Sequence, residues 1–70
     1  MKKDELEKLQ NYLRDKFEYD SINVTARPKL VDSAEVSIDK EFIGVINKDV
    51  EDGETSYAFT MVILEEDLEF

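Results

Sequence analysis

The chain has no cysteine and no histidine, only one proline and two glycines in 70 residues, and no lysine or arginine beyond Lys48. Without cysteine there is no disulfide and no thiolate metal site. Without histidine the usual nucleophile–base pairs are missing, so Ser21, Ser33, Ser37 and Ser56 have no imidazole to activate them. Gly44 and Gly53 are too few and too far apart for a glycine-rich phosphate loop. No run approaches membrane-spanning length, and the opening MKKDELEKLQ has no apolar signal-peptide core. The letters KDEL at 3 to 6 are internal, whereas the retention signal is read at a C-terminus. These absences lead us to expect a cytoplasmic, non-enzymatic domain with no cofactor and no catalytic or metal-binding residues.

What charge there is lies unevenly. The formal net charge is −9. Residues 1 to 48 are nearly balanced, while residues 49 to 70 carry acids and no base. Nucleic acid and anionic membrane are therefore not expected partners, because binding phosphate needs clustered cations, and Arg27 and Lys29 beside Pro28 are too few. An acidic third of this kind is a solvated surface or meets a basic partner. Seventy residues make a single domain whose stability margin is thin, and a second copy of the chain is the obvious further support.

Residues 4 to 17, DELEKLQNYLRDKF, read as an amphipathic helix. Leu6, Leu9, Leu13 and Phe17 recur at spacings of three and four, with Tyr12 at the border of the stripe. Asp4 is placed to cap the helix, with Glu7 completing a capping-box-like pair. The acids at its start and Arg14 and Lys16 at its end complement the helix dipole.

The period then falls to two. Strands are expected at about 21–27, 33–38, 41–47 and 56–64, followed by a short acidic tail at 65–70. The first alternates Ile22, Val24 and Ala26 with polar residues and stops at Pro28; the second alternates Ala34, Val36 and Ile38. Links this short favour antiparallel neighbours. The expected fold is α+β, an N-terminal amphipathic helix packed on a four-stranded antiparallel meander.

The register at Asp39-Lys40 has two solutions. A two-residue loop sets Val36 opposite Ile43; a three-residue loop matches Ala34, Val36 and Ile38 to Phe42, Gly44 and Ile46. One step of register exchanges the faces.

The last two strands are apolar on both sides. Phe42 and Ile46 oppose Ile43 and Val45, and Tyr57, Phe59, Met61 and Ile63 oppose Ala58, Thr60, Val62 and Leu64. One helix cannot cover two faces, so another cover is expected, and a homodimer is the favoured one. The candidate interaction surface is Phe42, Ile43, Val45 and Ile46 with Tyr57, Phe59, Met61, Val62 and Leu64; an outside protein partner is the other possible cover. Strand four is also an apolar edge with no internal lysine or proline, which invites pairing.

NKDVEDGE at 47–54 is the one stretch resembling a cation site. An EF-hand loop with Gly53 at its sixth position would need ligands at Lys48 and Val50 and a glutamate at Phe59, which fails. Asp52-Gly53 reads instead as a turn. A carboxylate-based metal or small-ligand binder, or an enzyme, using the acidic 49–54 stretch is the alternative function.

YLRDKF at 12–17, ARPKLVDSAEV at 26–36, EFIGV at 41–45, EDGE at 51–54 and YAFTMVILEEDLE at 57–69 resemble a short alphaproteobacterial family known only as a domain of unknown function, DUF3126. The resemblance covers about Leu6 to Glu69. It implies a stand-alone cytoplasmic bacterial domain, assigns no activity, cofactor or partner, and transfers no site residue. Members often have glycine near the second hairpin, where this chain has Asp39-Lys40.

Overall fold

A computed structural model describes residues 1–68. Helix α1 spans Lys3–Phe17 and is followed by β1 (Ile22–Arg27), β2 (Leu30–Ile38), β3 (Glu41–Glu51), β4 (Glu54–Met61) and a short 3-10 turn at Glu65–Leu68. The four strands form one antiparallel sheet in the order β1-β2-β3-β4. This is the expected αββββ meander. β2 starts three residues earlier than its alternation implied, β3 runs four residues further, and β4 stops three residues sooner.

The helix starts differently from expectation. Asp4 lies inside α1, and the capping position is Lys2, which makes no side-chain cap bond. The Leu6 N–H bonds to the Lys2 carbonyl at 3.1 Å, which starts the helix before Asp4 can cap it. The N-terminal ammonium donates to the Val31 carbonyl, tying this end to β2. At the other end Glu18 takes the left-handed conformation at φ 52°. The Glu18 and Tyr19 N–H groups bond back to the Asp15 and Arg14 carbonyls, and these bonds stop the helix.

Leu13, Ile22, Val24, Ala34, Val36 and Ile46 form the buried core, with Leu6, Leu9, Ile38, Ile43 and Phe59 packed half-buried around it. The apolar stripe of α1 is thus real as far as Leu13. Phe17 is 56% exposed, on the wall of a cleft it shares with Ile22, Ile38 and Met61.

The second hairpin resolves the register question by using both answers. Asp39 and Lys40, at φ 49° and 72°, make a two-residue turn that pairs Ile38 with Glu41 and Ser37 with Phe42. A bulge follows, and from there Val36 pairs with Gly44 and Ala34 with Ile46. The extra residue is Ile43, which turns toward the core instead of opposing Ile46. Turn geometry governs one end of the hairpin and core packing the other; the bulge absorbs the difference of one residue.

Gly44 is required by close approach. A Cβ there would lie 2.3 Å from the Thr60 carbonyl oxygen and 2.8 Å from the Phe59 ring. The missing side chain lets β4 seat against β3 with Phe59 over the gap.

The accessible surface is 5804 Å². A compact monomer of this mass exposes about 4,500 Å², so roughly 1,300 Å² is in excess. The radius of gyration, 13.1 Å, likewise exceeds the roughly 11 Å of a compact 70-residue chain.

Candidate interaction face

Helix α1 packs mainly against β1; its apolar side chains reach across the sheet to Ile46 on β3, and Glu5, at its N-terminal end, touches β4. A strand spacing is about 4.8 Å and a helix is about 10 Å wide, so one helix leaves the β4 side of its own face open. A cleft of about 500 Å³ results, floored by Ile46, Tyr57 and Phe59 and walled by Leu9, Tyr12 and Leu13 of the helix. Leu13 and Phe59 also line a second, wholly apolar cleft that continues past Phe17, Tyr19 and Met61. The two meet at Leu13 and Phe59, and the second reaches back under the end of the helix to Ile22, Val36, Ile38 and Ile43, so that together they form one apolar groove between α1 and the sheet, open toward β4.

The uncovered apolar surface therefore lies beside the helix on the helix's own face of the sheet. The far face is mostly polar, with Asn23, Thr25, Glu35, Ser37, Asn47 and Thr60 at its register positions. The double-sided alternation of strands three and four is corrected accordingly. Ile46 is 2% exposed and belongs to the core, meeting the surface only at the floor of the cleft. Ile43 and Val45 are half-buried. Tyr57, Phe59 and Met61 line the groove. Phe42 is exposed on the far face, opposite Ser37. Val62 and Leu64 are exposed beyond the sheet, as is Ile63.

The edges of the sheet differ. On β1, Arg14 donates from Nε to the Ile22 carbonyl at 2.8 Å, and the Val24 N–H donates to Gln10 Oε1 at 3.0 Å. These are outward backbone groups of an edge strand, satisfied by side chains one helical turn apart. β4 has no such cover among the described residues: it is exposed along its length except for Phe59.

One polar cluster closes the upper end of the groove. Glu5 Oε2 pairs with Lys48 Nζ at 2.8 Å and accepts a hydrogen bond from the Tyr57 hydroxyl. The hydrogen bond from Lys48, then that from Tyr57, hold the Glu5 carboxyl down at about 2. Lys48 and Tyr57 are raised in turn, each chiefly by its bond to Glu5. This cluster went unread in the sequence, although Lys48 stands two residues beyond Ile46 in the same strand and so shares its face. The helix side of the groove was also missed, because Leu9 was read as part of the core-facing stripe and Tyr12 only as its border.

The acidic stretch is strand and turn. Asn47 to Glu51 prolong β3, Asp52-Gly53 make a two-residue turn at φ 50° and 80°, and Glu51 pairs with Glu54. Among the described residues, no three acidic side chains converge as a metal-holding group. Among them, too, no helix is long and apolar enough to cross a membrane.

No curated protein and no solved structure matches this chain. A family model described as "Protein of unknown function (DUF3126)" matches residues 5–67, and the chain belongs to that family.

Proposed function

We propose that the protein is a small, non-enzymatic interaction module of the cytoplasm that works by self-association, with protein surfaces rather than nucleic acid or membrane as its partners. The observation that carries this reading is the continuity of two exposed features: the apolar groove beside α1 and the uncovered backbone edge of β4 that forms its floor. Contiguous apolar surface of this kind marks interaction sites on small proteins, and an open, flat edge is a template for another strand. The surface excess of roughly 1,300 Å² per chain is more than the about 800 Å² per partner that a standard interface removes. The net charge of −9 opposes association at long range, and added salt screens that repulsion.

Sedimentation at micromolar concentration, at low and at high salt, tests this. The reading predicts a dimer mass whose population rises with salt. A monomer mass under both conditions would overturn it.

A further inference from the structure

We infer that two copies join by antiparallel pairing of β4 with β4 about a two-fold axis at Phe59, making one eight-stranded sheet in which residues 62–64 become strand. The inference rests on the self-association proposed above and specifies its geometry.

The end of β4 is the starting point. The alternation of strand four runs on through Val62, Ile63 and Leu64, yet pairing with β3 stops at Gly44–Met61. Those three residues are left 67%, 63% and 51% exposed. They have strand-forming side chains and no neighbouring strand. In a strand-paired dimer the neighbour is the other copy's β4.

Symmetry and charge then choose the register. Directly opposite residues of an antiparallel pair share a face, so a symmetric pair must centre on a residue, with the axis normal to the sheet. The uncharged run Thr55 to Leu64 is bounded by Glu51, Asp52 and Glu54 on one side and by Glu65, Glu66 and Asp67 on the other. Centring at Phe59 overlaps this run almost completely and sets Glu54 opposite Leu64. Centring at Thr60 sets Glu54 opposite Glu66, with like charges facing. Centring at Ala58 sets Leu64 opposite Asp52, in the turn. The acids thus frame one register and oppose its neighbours.

The same centre brings the apolar groove sides together. Tyr57 falls opposite the other copy's Met61, and Phe59 opposite the other copy's Phe59, all on the helix face. Sulfur–aromatic and aromatic pairs across strands are favourable contacts. Because the axis is normal to the sheet, both helices lie on one face and the two grooves fuse into one between them.

The chain has no cysteine, so engineered thiols report without background. On the far face the exposed Ala58 lies opposite the other copy's Thr60, with Cβ atoms about 5 Å apart, whereas like positions are diagonal. Mixing Ala58→Cys with Thr60→Cys should give covalent dimer several-fold faster under mild oxidation than either variant alone. Ile63→Pro lies outside the monomer's sheet, so it should weaken self-association while leaving the far-UV spectrum and melting temperature of the monomer unchanged. Amide exchange at 62–64 should slow as concentration rises. Cross-linking fastest within Ala58→Cys alone, or absent from a species of dimer mass, would overturn this geometry and leave self-association standing. Protection at 62–64 that is independent of concentration would assign the groove to the chain's own tail and also overturn it. A monomer at every concentration would overturn both proposals.

Discussion

The two edges of the sheet, β1 and β4, are solved in opposite ways. β1 is six residues long, ends beside Pro28, and has two of its outward backbone groups, the Ile22 carbonyl and the Val24 N–H, occupied by Arg14 and Gln10. β4 is eight residues long, has no bulge, lysine or proline, and stands beside an apolar groove. Exposed edges are commonly blunted by charge, proline or a covering element. Here one helix supplies that protection to one edge and is too narrow to reach the other. The difference teaches that coverage in so small a fold is limited by the number of elements, and that the surplus apolar surface collects on one side.

The largest effect should come from the covered side. Leu13→Ala removes the side chain that locks α1 to the sheet, where it is 8% exposed. A buried leucine truncation costs about 2 to 5 kcal/mol, enough to unfold much of a domain this size; a melt within a degree or two of the parent would contradict the packing. Phe17→Ala, at the exposed end of the same stripe, should cost about 1 kcal/mol or less.

The seam between the core and the open edge comes next. Gly44→Ala places a Cβ against the Thr60 carbonyl, and such overpacking costs about 1 to 3 kcal/mol. The damage should concentrate on β4, with amide exchange there accelerating before exchange in β1 does. Equal acceleration of both edges would show that β4 is not held through this contact.

Uncovering β1 should make the edges alike. Gln10→Ala and Arg14→Ala each remove a side-chain bond to its backbone, worth about 1 kcal/mol. The double variant should gain a second open edge and precipitate more readily at equal concentration. A variant with unchanged solubility and stability would mean the two side chains do not protect that edge.

A smaller effect follows from pH. The Glu5 carboxyl lies near 2 in the folded chain against an ordinary value of 4.5. A lowered folded value means that the stabilisation is complete above about 4.5 and is lost as pH falls toward 2. Glu5→Gln should flatten the stability profile across that window, and an unchanged profile would show that the Glu5–Lys48–Tyr57 cluster does not hold the N-terminal end of α1 to β3 and β4. Smallest of all, Lys40→Gly should stabilise by about 0.5 to 1 kcal/mol, because Lys40 sits at φ 72°, where glycine carries no steric cost.

Much of this was legible because it is local. The helix stripe from Leu6 to Leu13, the alternation of Ile22 with Val24, and the Asp52-Gly53 turn each depend on residues a few positions apart. The bulge at Ile43 was not legible, since β3 serves two masters: the Asp39-Lys40 turn dictates one register and the burial of Val36 and Ile46 the other. Nor was the end of β4. Val62 to Leu64 have strand propensity, and whether a strand forms depends on a neighbour that the first three strands do not provide. Asp4 failed as a cap for a related reason, because contacts of Met1 with Val31 and of Leu6 with Lys2 extend the helix past it. The uncovered surface was expected on a second face of strands three and four because alternation reports which side of a strand is apolar, while the width of one helix decides how much of a side is covered.

The central claim is that β4, and not β1, is the edge through which the molecule associates. Amide hydrogen exchange measured over both edges at two protein concentrations tests it most directly. The account predicts that protection of β1, including the Val24 amide held by Gln10, is the same at both concentrations, while protection of the outward amides of β4 rises with concentration. Concentration-independent exchange at β4, or a rise confined to β1, would contradict it.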